Sequence, residues 1–506
     1  MEPRQAYEEI LQLMHTATDL NAAAALLSWD QETYMPPLAA DARAEQIATI
    51  ASITHSILVG EKAQRLAEYF REHLSSADGE LSETEKRIAR VFTREVQRAT
   101  KLPEEFVRRK ARITSLAQQA WKDARARSDF ALFRDYLAQI VDLMVEEASL
   151  RGFSEHPYDA LLDVYEPGLT SSVLDPIFEK LERATRSMLD YVRTASTIPE
   201  DAFLRGYFPR QAQLDVAYRI VAALGFDFKA GRVDLSAHPF CTSFSIRDVR
   251  LTTRIDESDI RPCLFGLIHE AGHGLYEQGI DVALERTFAR DGASMGIHES
   301  QSLFWENIIA RSEEFWHWAL PILQEHFPSQ FGSISPRQFY AAINRVQPSL
   351  IRIEADEVTY NLHIIVRYRI EKALIGGELV VDSVPAVWNA MSTDLLGIEV
   401  PDDARGCLQD IHWSFGGFGY FPSYTLGKLY AAMFRTALLN AMPQAPEYVQ
   451  QGRFAPIREW LQEVIHRWGR TVEPAELVKH VTGRSLSEED FVEYAWQKIR
   501  RVYGDS

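Results

Sequence analysis

The chain has 506 residues, 46% hydrophobic and 25% charged, which is the composition of an ordinary globular protein that can bury a large core. Its formal net charge of −18 excludes a dedicated nucleic-acid-binding protein, because such proteins need a surplus of Lys and Arg to neutralise phosphates. The three separated cysteines are typical of a reducing compartment, and the acidic N-terminal segment does not resemble a signal peptide. No run of about 18 apolar residues predicts a membrane span, so we expect a cytoplasmic location.

The first 150 residues have the periodicity of helices. Apolar residues recur at three- and four-residue spacing over residues 6–29, and the charged stretch 82–101 is typical of a solvated helix. Met35-Pro36-Pro37 should end a helix, because proline lacks the amide hydrogen that a helix needs.

Residues 232–255 depart from this pattern. Apolar residues there alternate imperfectly and are mixed with Thr and Ser, which favours a small sheet directly before the next helix. Helical sequence then resumes to the end, interrupted mainly by the glycine–aromatic loop at residues 416–422. We therefore predict a mainly α protein with a small β-sheet. We expect residues 1–506 to form one catalytic unit, built either as one body or as two lobes around a groove.

Residues 258–279 form the most informative segment. Ser258 or Asp259 should cap a helix, Pro262 suits its first turn, and Gly279 should end it in the left-handed conformation. Between these positions lies the HExxH pattern, from His269 to His273.

The HExxH spacing predicts a metal site. Residues four apart lie above one another on a helix, so the imidazoles of His269 and His273 can reach one ion. Glu270 would stand beside that ion as the base for its bound water, whose pKa zinc lowers to about 7. The alternative is a chance pair of histidines, and the apolar flanks of the helix argue against it.

A catalytic zinc site needs a third protein ligand. Tyr276 and Gly279 exclude the metzincin pattern, which leaves a residue from a following helix. Glu299 is the favoured candidate, with His298 and Glu306 as alternatives or as partners that orient a ligand; Glu277 is predicted to lie too far along its own helix. Residues 296–320 should form one periodic helix that packs antiparallel to the HExxH helix.

Several separate motifs resemble the M32 family of metallocarboxypeptidases, the carboxypeptidase Taq type. They run in the family's order from about residue 29 to residue 430. The matching segments are Trp29-Asp30-Gln31, His238-Pro239-Phe240, Asp248-Val249-Arg250-Leu251-Thr252, His269–His273, His298-Glu299-Ser300-Gln301, Ile351–Asp356 and Gly406–Trp413.

The resemblance implies a helical, dimeric enzyme that folds around a deep groove, similar in shape to neurolysin and angiotensin-converting enzyme. Such enzymes release single C-terminal amino acids with broad specificity and resist proline in the last position. It also implies that Glu299 is the third zinc ligand. Cobalt is a plausible substitute for zinc at a site of two histidines and one glutamate.

Further roles are expected for residues in or near these motifs. His412 and Tyr420, beside or within the glycine–aromatic loop, suit the stabilisation of a tetrahedral oxyanion, with Tyr424 as a rival. The alternative for Tyr420 is a packing role. Arg352 or Arg250 could bind the substrate carboxylate through a bidentate guanidinium; the alternative is a structural ion pair of Arg352 with Glu354 or Asp356, or of Arg250 with Asp248.

The segment that begins at His238 could limit which peptides enter, or it could be a simple turn with a buried ring. Two other functions remain open from the sequence. A dipeptidyl carboxypeptidase or an oligopeptidase would use the same metal residues, and a binding protein with structural zinc would need four protein ligands.

Overall fold

The computed structural model describes residues 2–76 and 79–504. It confirms a mainly helical protein with one small sheet. In these described ranges the α-helices, in chain order α1 to α21, are Pro3–Thr33, Ala40–Val59, Glu61–His73, Glu83–Thr100, Glu104–Arg127, Ala131–Arg151, Pro157–Tyr165, Ser171–Arg193, Arg210–Leu224, Arg261–Gly279, Met295–Leu303, Glu313–His326, Pro328–Phe331, Pro336–Ile343, Tyr360–Gly376, Val384–Leu396, Pro422–Ala441, Ala445–Gln450, Ala455–Val464, Pro474–Thr482 and Glu489–Tyr503.

The sheet lies where the sequence predicts it. Its strands are β1 (Gly231–Leu235), β2 (Cys241–Ser245) and β3 (Asp248–Thr253), and β3 is central, parallel to β1 and antiparallel to β2. Val249 and Leu251 of β3 are fully buried. A Cβ on Gly274 would lie 2.9 Å from Leu251 Cδ2, so this glycine allows the sheet to pack closely on α10.

The chain divides into two compact units. Unit 1 comprises Met1–Thr100, Glu200–Ala342 and Phe434–Ser485; unit 2 comprises Lys101–Pro199, Ile343–Met433 and Leu486–Ser506. Each unit combines three separate stretches of sequence, so no single cut in the chain would separate them. The expectation that residues 1–506 work as one catalytic unit remains a prediction.

The helix α10 lies in the hydrophobic core of unit 1. Its apolar residues Leu264, Leu267 and Ile268 are almost entirely shielded from solvent. Pro262 lies in its first turn as predicted. The N-cap is Ile260, which follows both predicted candidates, Ser258 and Asp259. Asp259 Oδ1 still accepts a hydrogen bond from the Arg261 amide at 2.9 Å.

The helix ends at Gly279 as predicted, but the left-handed conformation predicted for this residue was wrong. This residue ends α10 without a positive φ, and the extended Ile280 follows it. A Cβ at position 279 would lie 2.6 Å from His466 Nδ1. Glycine is therefore needed for the close approach of a histidine ring, which local sequence does not reveal.

The single helix expected over residues 296–320 is interrupted. It consists of α11, a π-helical segment Phe304–Ala310 and α12, with Ser312 capping α12 through the Phe315 amide. A π-helical segment is wider than an α-helix and changes the direction of its side chains. Glu306 lies in this segment.

The three cysteines are free, as the sequence predicts. Among the described residues, none of the helices is both long and apolar enough to cross a membrane.

Gly272 controls the contact between α10 and α11. A Cβ there would lie 2.6 Å from the Gln301 carbonyl oxygen and 2.6 Å from Ser302 Cα, and neither backbone atom can move alone. We predict that Gly272→Ala destabilises the fold by about 1–3 kcal/mol, as overpacking of a core does. Thermal unfolding of the purified protein should show a lower midpoint.

Gly266→Ala is the matched control on the same helix. Its Cβ would meet only Pro239 Cγ at 3.9 Å, an ordinary contact. Because alanine favours a helix interior by about 0.5–1 kcal/mol over glycine, its midpoint should stay the same or rise. Equal midpoints for the two variants would contradict the packing argument.

Candidate metal centre

Unit 1 brings together the three residues that the sequence favours as metal ligands. His269 and His273 lie one turn apart on α10, and Glu299 comes from α11. One nitrogen or oxygen atom of each lies within 4.8 Å of the others, the one such group found among the described residues. Glu277, His298 and Glu306 are not members of this group.

The distances fit a tetrahedral ion. Glu299 Oε2 lies 3.4 Å from His273 Nε2 and 3.6 Å from His269 Nε2. Two atoms that each bind a tetrahedral zinc at about 2.1 Å are about 3.4 Å apart. Two imidazole nitrogens and one carboxylate oxygen are also donors that zinc accepts, so the residues present fit this metal.

The other nitrogen of His269 is held by Glu306. Nδ1 of His269 lies 2.9 Å from Glu306 Oε2, and Arg311 donates to the second oxygen of Glu306 at 2.8 Å. A proton on Nδ1 leaves the Nε2 lone pair directed at the ion. Glu306 is thus placed to orient a ligand, which is one of the two roles that the sequence left open for it.

His273 is held by a longer chain of contacts. Its Nδ1 lies 2.6 Å from His298 Nδ1, and His298 Nε2 lies 2.8 Å from Glu277 Oε1. Ser243 of β2 donates to the same glutamate at 2.5 Å. If each ring donates outward along this chain, Nε2 of His273 stays unprotonated and free to bind a metal.

The carboxylates favour positive charge at this centre. Burial raises the pKa of Glu299, but His269 and His273 together bring it well below its usual range. For His269 burial acts the other way and lowers the pKa, yet Glu299 and Glu306 raise it well above its ordinary value. A divalent cation would supply the positive charge that these carboxylates attract.

Glu270 stands beside the triad. Only 7% of this residue is exposed, and burial raises its pKa to about 7, with His269 acting in the opposite direction. A carboxyl group with a pKa near neutrality can both accept and return a proton at neutral pH.

Arg250 of β3 is rigidly held in unit 1. Its guanidinium carbon lies 4.4 Å from the ring centre of Trp29 and 4.7 Å from that of Phe244. Asp248 accepts from Nε and from one terminal nitrogen, at 3.0 and 3.2 Å. The expected pair with Asp248 is therefore present, but it uses one edge of the guanidinium only.

His238 lies in an exposed turn of unit 1. Ser236 donates a hydrogen bond to the His238 carbonyl at 2.6 Å, and Thr252 Oγ1 accepts from the Phe240 amide at 2.8 Å. Two of the sequence motifs are thus joined by hydrogen bonds. A role of His238 in substrate binding stays a prediction.

Arg352 lies in unit 2 and is 5% exposed. Its Nε and one terminal nitrogen donate to Asp410 Oδ1 at 3.1 and 2.7 Å, and its other terminal nitrogen donates to Tyr360 at 2.5 Å. The predicted ion-pair partners, Glu354 and Asp356, were wrong. Asp410 is 58 residues away in sequence, and it also binds Arg367 at 2.7 Å.

His412 and the two candidate tyrosines cluster in unit 2. The His412 ring centre lies 5.1 Å from that of Tyr420, and its Nε2 lies 3.2 Å from the Tyr424 hydroxyl. Burial, followed by the charges of Arg352 and Arg367, lowers the pKa of His412 to about 4 against the opposing effect of Asp410. At neutral pH His412 is therefore an uncharged imidazole.

Some contacts were missed from the sequence. The pairing of His298 with Glu277 joins two helices, and the ring of Trp29 reaches Arg250 from α1. Asp410 stands inside a motif that the sequence singled out, so a charged residue there could have been proposed as an arginine partner. The other contacts carry no local signal.

The comparisons with known proteins agree across the chain. The family model described as carboxypeptidase Taq (M32) metallopeptidase matches residues 9–499. Carboxypeptidase 1 of Bacillus subtilis is 40% identical over 503 residues, covering 99% of this chain and all of the relative.

Solved structures are similar over the same length. The M32 carboxypeptidase of Deinococcus radiodurans has a TM-score of 0.95 at 34% identity, covering 99% of this chain and 100% of that one. The Pyrococcus furiosus carboxypeptidase has a TM-score of 0.94 at 37% identity, covering 98% and 99%. The chain therefore belongs to the carboxypeptidase Taq (M32) family of metallopeptidases.

Proposed function

We propose that the chain is a zinc-dependent carboxypeptidase that releases single amino acids from the C-terminal ends of peptides with broad specificity. Family membership makes it a metallocarboxypeptidase, a peptide hydrolase that uses a divalent metal. The observation that carries the zinc-dependent mechanism is the spacing of His269, His273 and Glu299, with Glu270 beside them. Release of single residues with broad specificity is proposed from family membership.

The proposed roles follow from the chemistry of the groups. The metal would polarise the scissile carbonyl and lower the pKa of a bound water. Glu270 accepts the proton of the attacking water and delivers it to the leaving amine nitrogen. We assign stabilisation of the tetrahedral oxyanion to His412 and Tyr420, with Tyr424 as the alternative, because His412 lies in a family motif and the three side chains cluster in unit 2.

The contacts favour Arg250 over Arg352 for the substrate carboxylate. Arg250 keeps one terminal nitrogen without a hydrogen bond to any described residue, and the two aromatic rings hold its plane in place. Arg352 is buried and already donates from all three of its nitrogens. A bidentate edge is needed to bind a terminal carboxylate, and Arg250 offers one.

Three further parts of the proposal concern the metal, the oligomeric state and the location. Zinc is proposed because the donor set suits it, with cobalt as a substitute. A homodimer is proposed from family membership alone. A cytoplasmic location is proposed because the three cysteines are unpaired, as is usual in a reducing compartment.

Glu270→Gln should keep the metal and lose turnover. The amide preserves the shape of the side chain but cannot accept a proton, so kcat should fall about 10²- to 10⁴-fold. Metal content by mass spectrometry and kcat on an unmodified peptide give the two readouts. Glu277→Gln, two turns along α10, is the matched control: it should alter metal affinity more than the kcat of the metal-loaded enzyme. Near-normal kcat in metal-loaded Glu270→Gln would exclude the proposed mechanism.

Glu299 and Glu306 should differ in their effect on metal binding. Glu299→Ala removes a proposed ligand and should abolish stoichiometric zinc at micromolar protein. Glu306→Gln removes only the carboxylate that orients His269, so zinc affinity should fall about 10- to 100-fold. Competition with a fluorescent chelator measures both. Equal losses in the two variants would show that Glu299 has no special role.

Arg250→Lys should weaken recognition of a free C-terminus. The ammonium keeps the charge but loses the bidentate fork, so kcat/KM should fall at least about tenfold. Arg232→Lys is the matched control, because Arg232 also lies over Trp29 and pairs with an aspartate, Asp234. A larger loss in Arg352→Lys than in Arg250→Lys would reverse the assignment.

Mass spectrometry of the products tests the exopeptidase itself. The wild type should release one residue at a time from a free C-terminus and little from an amidated peptide. Release of dipeptides, or internal cleavage that ignores amidation, would instead indicate a dipeptidyl carboxypeptidase or an oligopeptidase.

A further inference from the structure

Glu371 lies at the centre of unit 2. It is on α15, and none of its side chain is exposed. Its carboxylate accepts three hydrogen bonds: from Trp413 Nε1 at 2.9 Å, from the Tyr158 hydroxyl at 2.8 Å and from the Gly419 amide at 3.0 Å. No part of the proposed chemistry uses this group.

Two of these donors belong to the glycine–aromatic loop or directly adjoin it. Trp413 directly follows His412, and Gly419 directly precedes Tyr420. Gly419 has a φ of +87°, and a Cβ on it would lie 2.7 Å from the Leu161 carbonyl carbon of α7. The loop backbone is therefore pressed against α7 and is joined to one carboxylate both at Gly419 and through Trp413, just before the loop.

A carboxylate is energetically unfavourable at this position, because burial penalises its charge. Burial raises the pKa of Glu371 to about 7, and in the described part of the chain no lysine or arginine forms an ion pair with it. A purely structural contact could be made with an uncharged group at lower cost. Three donors that converge on one side chain, however, require a group that only accepts, which an amide is not.

We propose that Glu371 is a positioning residue that fixes the glycine–aromatic loop, and with it His412 and Tyr420, in the geometry needed to stabilise the oxyanion. This rests on the proposed function, because His412 and Tyr420 receive their roles there. Glu371 touches neither the substrate nor the metal. It acts through the loop alone.

The neighbouring groups keep their protonation state near neutral pH. Tyr158 and Tyr165 of α7 have pKa values raised by burial, and Arg367, one turn earlier on α15, remains charged beside Asp410. Lys110 of α5 and Arg151 of α6 both form ion pairs with Glu147 of α6. In the loop, His412 is neutral because of its lowered pKa.

Protonation of Glu371 should therefore loosen the loop. Burial raises the folded pKa of Glu371 to about 7, whereas the hydrogen bonds from Gly419, Tyr158 and Trp413 lower it, so these three bonds favour the ionised form and weaken as the pH falls through that value. We expect the hydrogen-exchange protection factors of residues 412–420 to fall in the wild type between about pH 8 and pH 6. In Glu371→Gln they should be low and should not change with pH, because the amide cannot ionise.

The kinetic test separates positioning from folding. In metal-loaded Glu371→Gln, kcat should fall about tenfold or more, while KM stays within about twofold. For comparison, removal of one oxyanion donor typically lowers kcat about 10²- to 10³-fold. Glu166→Gln is the matched control: Glu166 is equally buried in unit 2, and its hydrogen bond from the Tyr430 hydroxyl at 2.8 Å joins it to α17. Its kcat and its loop protection should equal those of the wild type.

A second variant covers the case in which Glu371→Gln does not fold. Tyr158→Phe removes one donor and keeps the ring, so the pH at which loop protection is lost should move upward. Wild-type loop protection and kcat in a folded Glu371→Gln, or an unchanged transition in Tyr158→Phe, would overturn the proposal. A wild type that released no C-terminal residue would refute the proposed function, whereas the exchange measurement would still decide the role of Glu371.

Discussion

The close contact of α10 with α11 is the constraint on which the metal centre depends. HExxH supplies two imidazoles from one helix, but a third ligand must come from a second helix within about 3.4 Å of both nitrogens. Gly272, between Glu270 and His273, allows this approach, because the backbone of Gln301 and Ser302 occupies the space of its missing Cβ. This contact brings Glu299 to the two histidines, since Glu299 lies on α11 with Gln301 and Ser302.

The centre also depends on how its charges are distributed. Four glutamates lie on two neighbouring stretches of chain: Glu270 and Glu277 are buried, and Glu299 and Glu306 are partly buried. Glu277 and Glu306 are balanced by arginines and histidines, and Glu299 faces the two candidate ligands. Glu270 has the raised pKa. A buried carboxylate is stable only with a partner, so this arrangement suits a cation held by Glu299 and a proton exchanged by Glu270.

Much of this could be predicted from the sequence because the signals are local. Histidines at i and i+4, a proline in the first turn and alternating apolar residues before it depend on neighbours in the chain. Such features gave α10, the sheet and the mainly helical fold. The resemblance to a known family supplied Glu299, which spacing alone did not separate from His298 and Glu306.

The remainder could not be predicted because it depends on contacts between distant residues. Gly279 looked like a helix terminator, but its small size is required by His466, which lies 187 positions later. Arg352 was expected to pair with near neighbours, but it binds Asp410. The π-helical segment that carries Glu306 replaces a helix whose periodicity appeared regular. Glu371 has no motif, and its role emerges only from three converging donors.

X-ray diffraction from crystals of the zinc-loaded protein, recorded on both sides of the zinc absorption edge, tests the central claim most directly. The account predicts one anomalous peak per chain, about 2.0–2.2 Å from the Nε2 atoms of His269 and His273 and from a Glu299 oxygen, with a remaining position open to solvent. A peak away from these three side chains, or an ion whose four positions are all filled by protein atoms, would contradict it.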